Sequence, residues 1–275
     1  MSIESETDGN DGLEPFNGIG TLFMQKCYNN LPFEISESLS RRFKVMNDEG
    51  RCIFWAGERV DCGSKCWRGM QRRFTFCIYS TEGDLVLTVD RQRLQTCSNW
   101  GCPSGTEKKF NSDMTNAAIM SMLNTYVYHF NGFIIGRLKN TSSAFRPQYE
   151  VEDENSYNIL NIRSHNCGTI CPIFSFCNSN FRLYDRHRNY LGEIRKSVTL
   201  VDSRHRNRRC VGATFPTHLS PSMKCLILSA MFELKVTYFE RRLSTVEVLW
   251  VFVIGILLAT TLLLLFMVTT FIERQ

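Results

Sequence analysis

Two cysteine pairs, Cys62-Gly63-Ser64-Lys65-Cys66 and Cys167-Gly168-Thr169-Ile170-Cys171, are the residues best suited to chemistry in this chain. A thiolate is a strong nucleophile and a soft metal ligand, so both roles need testing. Cys62 through Trp67 looks like a thiol-protease nucleophile motif, but the inserted Lys65 breaks its spacing. The next histidine, His129, is not where such an enzyme keeps its base. No other base, nucleophile and orienting group fall into a recognisable arrangement, so no catalytic residue and no organic cofactor site is assigned. If the two loops meet, Cys62, Cys66, Cys167 and Cys171 supply a tetrahedral four-thiolate zinc set. Their Cys-x₃-Cys spacing is less typical of zinc than Cys-x₂-Cys.

These pairs belong to a longer repeat, which shows what must position them. Phe43-Lys44-Val45-Met46-Asn47-Asp48 followed by Ile53-Phe54 is answered about 106 residues later by Tyr149-Glu150-Val151-Glu152-Asp153-Glu154 and Ile159-Leu160. After each cysteine pair, the third element, comes a fourth, Phe74-Thr75-Phe76 and then Phe181-Arg182-Leu183. Four elements in one order indicate a duplicated β unit whose halves close into one barrel or sandwich. Alternation supports strands: Phe74, Phe76 and Ile78, then Leu85, Leu87 and Val89 after a Glu82-Gly83 turn. Residues 1–30 read as a flexible segment, Thr96 to Ser112 as a loop, and Gly132 and Gly136 as sharp bends.

The chain has 275 residues, 43% of them hydrophobic, enough for a substantial core. Met1 to Gly12 is polar and acidic with no apolar stretch, so no secretory signal is expected. The twelve cysteines are then expected to be reduced, acylated or metal-bound rather than paired in disulfides.

Val248 to Ile272 contains 25 residues without a charge. At about 1.5 Å per residue it is long enough to cross a hydrocarbon core of roughly 30 Å. Only Glu273-Arg274-Gln275 follow, so the expectation is a transmembrane tail anchor inserted after synthesis, with the folded part in the cytosol. Arg241 and Arg242 before it fit the positive-inside tendency. Gly255 and Ala259, four apart, could let two such spans pack as a homo-oligomer. The net charge is only +5, but Arg204, Arg206, Arg208 and Arg209 are concentrated in one run. With Arg241 and Arg242 they form candidate contacts to anionic lipids, at about 1 kcal/mol per well-placed basic residue. A solvated loop is the alternative.

Ser220-Pro221 has the chemistry of a helix start, a serine N-cap and a proline in the first turn. Met223 to Phe239 is nearly all apolar yet carries Glu233 and Lys235. Two central charges would cost on the order of 5 kcal/mol in a membrane, so a helix over about 221–240 is expected inside the protein, surrounded by the duplicated strands.

In these features the chain resembles the phospholipid scramblases. The resemblance rests on Arg42-Phe43-Lys44-Val45, Gly50, Ile53-Phe54-Trp55-Ala56 and Glu58. It continues through Gly132 to Gly136, the cysteines from Cys167 to Cys177, and Gly192-Glu193-Ile194. It ends with Phe215-Pro216, Met223-Lys224, Ala230, Phe232 and Phe239-Glu240. It implies a mainly β fold, a tubby-like barrel wrapped around a hydrophobic helix, over about residues 31–242, followed by the span at 247–272. It also implies S-acylation, by palmitate, in the loop holding Cys97 and Cys102, although only two cysteines stand there. The family's calcium segment corresponds to Asn207 through Gly212, with Asn207, Arg209 and Val211 at the ligand positions and His218 where an acid is expected. Calcium needs several hard oxygen ligands, so these residues make a degenerate site. The family's basic import segment matches Gly192-Glu193-Ile194-Arg195-Lys196, diluted by Glu193, and no nucleic-acid role is expected.

The function expected from the resemblance is ATP-independent, bidirectional movement of phospholipids between leaflets of a plasma or internal membrane. The alternative is a membrane-anchored scaffold that binds anionic lipids, phosphoinositides among them, without transporting them. The span favours the alternative on physical grounds, because its polar groups are only Thr260, Thr261, Thr269 and Thr270, a poor path for a lipid head group.

Overall fold

A computed structural model describes residues 12–28, 31–33, 39–59, 73–92, 124–142, 147–164, 180–201 and 207–239, together with 253, 255–257 and 259–261. Twelve antiparallel strands close into one barrel. They are β1 (Thr21–Cys27), β2 (Leu39–Met46), β3 (Cys52–Arg59), β4 (Phe74–Tyr79), β5 (Leu85–Gln92) and β6 (Asn124–His129). They continue with β7 (Ile134–Asn140), β8 (Gln148–Asp153), β9 (Asn158–Ser164), β10 (Asn180–Asp185), β11 (Tyr190–Val201) and β12 (Asn207–Thr214). Each strand pairs with its sequence neighbours, and β1 closes the ring on β12 through Thr21–Met24 and Val211–Thr214.

The repeat is built into the registers. Val45 faces Phe54 and Phe43 faces Ala56 across β2–β3; Val151 faces Leu160 and Tyr149 faces Ile162 across β8–β9. All eight side chains are buried. The fourth element needs a correction. Ala56 pairs with Ile78 and Glu58 with Phe76, whereas Ile162 pairs with Leu183 and Ser164 with Phe181. Phe76 is therefore the counterpart of Phe181, and Ile78 of Leu183, two residues from the match that the sequence pattern gives. A slip of two keeps every side chain on its own face, so alternation cannot detect it.

Five hairpins carry turns of one kind at one end of the barrel. Backbone N–H groups of Gly50, Gly83, Gly132, Ser156 and Arg188 donate to the carbonyls of Asn47, Ser80, His129, Asp153 and Asp185. All five donors are in the left-handed region, with φ from 65° to 108°. Side-chain oxygens of Asn47, Ser80, Asp153 and Asp185 accept from the N–H four residues on. This end is called the turn end below. Gly132 makes one of these bends, but Gly136 does not. It lies within β7, where a Cβ would collide with the Glu152 carbonyl and press on Leu226 of the central helix.

That helix, α1 (Pro221–Leu234), runs through the barrel and continues as a π-helical turn, Lys235–Phe239. The Ser220 hydroxyl caps it by accepting from the Met223 N–H, and Pro221 occupies its first turn. Every residue from Lys224 to Leu234 is buried, and Phe232 packs on Phe43 and Phe76 with ring centroids 5.7 and 4.6 Å apart. A helix apolar all round is stable here because strands surround it on every side.

The barrel begins earlier than residue 31. Leu13, just before a short 3₁₀ turn (Glu14–Phe16), and Phe16, its last residue, are buried beneath the helix start, and β1 is the closing strand. The alternation of Leu22 and Met24, both buried between partly exposed neighbours, is the signal in residues 1–30 that marks a strand.

Candidate functional site

The helix gives the barrel two unlike ends. Its start lies at the turn end, where the Lys224 ammonium donates to the carbonyls of Phe16 (3.0 Å) and Thr217 (2.7 Å). Burial pushes the Lys224 amine below the usual lysine range. Its last turn lies at the opposite end, where Tyr238 meets Tyr149 and Phe239 meets Phe181 near the starts of β8 and β10. From there the chain leads toward 248–272, and this is the tail end.

Just inside the tail end is a buried polar cluster centred on Glu233. Arg91 from β5 lies 3.3 Å from its Oε1. The Thr125 hydroxyl donates to Oε2 at 2.8 Å, while Tyr149 and Thr237 donate to Oε1, each at 3.2 Å. Arg91 also donates to Thr237 at 3.0 Å. Arg91 and Glu233 are 1% and 2% exposed at the side chain. Burial, the largest cause, holds the Tyr149 phenol well above the usual tyrosine range, and Tyr238 is also raised by burial. Both are neutral donors at physiological pH. Glu233 is the charge already conspicuous in the apolar helix sequence; Arg91, in an ordinary alternating strand, carries no such signal.

The outer surface at the tail end is basic. Lys26, Arg41, Arg42, Arg59, Arg73, Lys139 and Arg163 stand within three residues of the strand ends there, with Glu58, Asp90 and Glu150 as acidic neighbours. The Lys26 ammonium sits 5.6 Å from the Tyr28 ring centre, and Tyr28 is 86% exposed. A cation beside an exposed tyrosine suits a membrane interface, where one end of each side chain is wet.

Asn207, Arg208, Arg209 and Val211 lie along β12, the strand between β11 and β1. Val211 is fully buried against the core. Asn207 to Arg209 pair with β11, Val211 pairs with β1, and the segment offers arginines and a valine where calcium needs several carboxylate oxygens. These residues therefore do not fit calcium. Among the described residues, no group of three or more His, Cys, Asp or Glu side chains is placed to hold a metal ion.

Cys62, Cys66, Cys97, Cys102, Cys167 and Cys171 lie outside the described residues, as do Arg204, Arg206, Arg241 and Arg242. Each of those cysteine-bearing connections joins strands at their tail ends. Among the described cysteines, burial pushes the Cys52 thiol up to about 11 and the Cys225 thiol well above its usual value. Neither supplies a thiolate near neutral pH. Gly255 and Ala259 are exposed on a helical stretch, with open space where a Cβ on Gly255 would point. Most of 248–272 lies outside the described residues, and no described helix is long and apolar enough to cross a membrane.

The Scramblase family profile matches residues 2–241. Phospholipid scramblase 2 of Bos taurus is 24% identical over 233 residues, covering 83% of this chain and 71% of that protein. Phospholipid scramblase 1 of Homo sapiens is 21% identical over 236 residues, covering 83% of this chain and 66% of that protein. The chain thus spans about two thirds of the human relative's length. A solved structure of an Arabidopsis thaliana protein covers 82% of this chain and 99% of its own at 8% identity, with a TM-score of 0.40.

Proposed function

Because the chain belongs to the Scramblase family, we propose that it moves phospholipids between membrane leaflets without ATP and catalyses no covalent chemistry. The observation that carries this reading is the excess of basic over acidic side chains at the tail end, the end from which the helix leads toward the apolar segment 248–272. With that segment inserted, Lys26, Arg42, Arg59 and Arg163 face the anionic cytosolic leaflet beside Tyr28, attracted by its surface potential. The barrel rests on the lipid and the segment enters it.

A packed interior argues against the barrel as the conduit. Aromatic and aliphatic side chains of α1 and the strands fill it, leaving the polar groups around Glu233 enclosed. Lipid therefore passes beside the span, where two helices packed through Gly255 and Ala259 and a locally thinned bilayer lower the barrier. The same packing favours one alternative, anionic-lipid binding without transport.

Full-length protein in liposomes with fluorescent phospholipid, quenched by dithionite with and without calcium, separates the two. Quenching beyond the outer-leaflet fraction, independent of calcium, is expected. Quenching confined to one leaflet despite insertion moves the protein to the binding class, and activation by calcium overturns the reading of β12.

A further inference from the structure

We propose that the turn end is a self-association surface through which two copies meet tip to tip about a two-fold axis. Phe133, Tyr157, Tyr190, Phe130 and Ile134 are 73%, 70%, 58%, 49% and 43% exposed. All five stand on three consecutive hairpins, β6–β7, β8–β9 and β10–β11. These segments lie far apart in sequence but are neighbours on the rim, so the exposure forms one patch rather than scattered surface residues.

The charges on either side of the patch select the partner. On one flank, the β4–β5 tip carries exposed Glu82 and Asp84; on the other, the β10–β11 tip carries exposed Arg186 and Arg188. The order around the rim is acidic, apolar, apolar, basic. An axis between the β6–β7 and β8–β9 tips sets the acidic flank of each copy on the basic flank of the other, and the aromatic tips on each other. Glu154, on the β8–β9 tip, then faces the other copy's apolar β6–β7 tip rather than its own counterpart. Two-fold contact requires such self-complementarity, and exposed tyrosine, phenylalanine and arginine are what interface centres contain. Tips two strands apart are spaced by about 10 Å, so the four tips cover about 30 Å, the width of a modest interface. The acidic flank disfavours an anionic bilayer as the occupant.

Because α1 leaves by the other end, the two tails of such a dimer point in opposite directions. Resting on the membrane attachment proposed above, the dimer joins two apposed membranes instead of lying within one.

Charge reversal tests the contact. Sedimentation of the full-length protein in detergent reads association whether or not the tail inserts. The wild-type tip, carried throughout with G255L so that the spans do not pair, is expected to run at twice the monomer mass. R186E/R188E alone and E82R/D84R alone weaken association about tenfold or more, because each sets like charges face to face. Mixing the two variants restores the dimer. A monomeric wild type, a dimer indifferent to both reversals, or a mixture that stays monomeric overturns the proposal. Clustering of protein-bearing vesicles, followed by light scattering, tests the apposed arrangement. Clustering is expected only when both populations carry protein, and clustering with protein-free vesicles would show the aromatic tips entering lipid instead.

Discussion

One buried charge holds the helix at each end of the barrel, and the two are neutralised by different means. At the tail end Glu233 meets an opposite charge, Arg91, and three hydroxyl donors. At the turn end Lys224 meets backbone carbonyls of Phe16 and Thr217. The first arrangement ties strands from both halves of the repeat, β5 and β6 with β8, to one carboxylate. The second ties only the chain segments that enter the barrel. A full charge balanced by a full charge is costly to break from one side; a charge balanced by dipoles is cheaper to remove.

The largest effect should therefore come from the tail end. Glu233→Leu leaves the Arg91 guanidinium buried without its carboxylate, and a loss of about 3–5 kcal/mol is expected. For a domain of this size that lowers the melting temperature by roughly 10 °C, readable by calorimetry. Adding Arg91→Met should recover part of the loss, since no isolated charge remains. A double variant as unstable as the sum of its singles would mean that the two residues do not act as a pair. Lys224→Met comes next, at about 1–3 kcal/mol, because two charge-assisted hydrogen bonds are lost while a desolvated ammonium is removed. If it destabilises more than Glu233→Leu, the contrast between the ends is wrong.

Alternation and the Ser-Pro start made the barrel strands and the central helix legible in the sequence, because both depend on which side chains face inward. Position along a strand left a weaker trace. Phe76 and Phe181 occupy equivalent places, yet Phe74 and Phe76 offer two aromatic candidates on one face, and nothing local chooses between them. Closure was also hidden, since the short alternation of Leu22 and Met24 marks a strand but not its partner β12, nearly two hundred residues away. Much of the candidate site was missed for a similar reason. Arg91, Thr125 and Tyr149 look like ordinary strand residues until the fold brings them to Glu233.

The ends should also respond oppositely to alkali. Tyr149 has a folded pKa raised above the ordinary value near 10, so its contribution is complete below that value. It is lost as the unfolded phenol ionises and pH rises toward the folded pKa. Lys224 has a lowered folded pKa, so in the window between that value and about 10.5 the unfolded state binds more protons and stability rises with pH. Denaturant titrations between about pH 8 and 11, compared with Tyr149→Phe and Lys224→Met, isolate the two slopes. Tyr149→Phe should reduce the alkaline loss, and Lys224→Met should remove the gain. Slopes of the same sign would break the comparison.

The smallest effect sharpens it from the turn end alone. Its five turns place one residue each in the left-handed region, and glycine fills three of them. Ser156 and Arg188 occupy the other two at φ 65° and 67°. An L side chain there costs about 1–2 kcal/mol, partly offset by the greater unfolded-state freedom of glycine. Ser156→Gly should therefore stabilise the protein by about 0.5–1 kcal/mol, and Gly50→Ser, at the equivalent turn of the first half, should destabilise it by a similar amount. Ser156 is exposed, so the substitution disturbs no packing. Equal stability of wild type and Ser156→Gly would mean that the turn relaxes around its serine. A gain would place backbone strain beside Tyr157, on a tip proposed to meet a second copy, while the tail end holds its charges buried and paired.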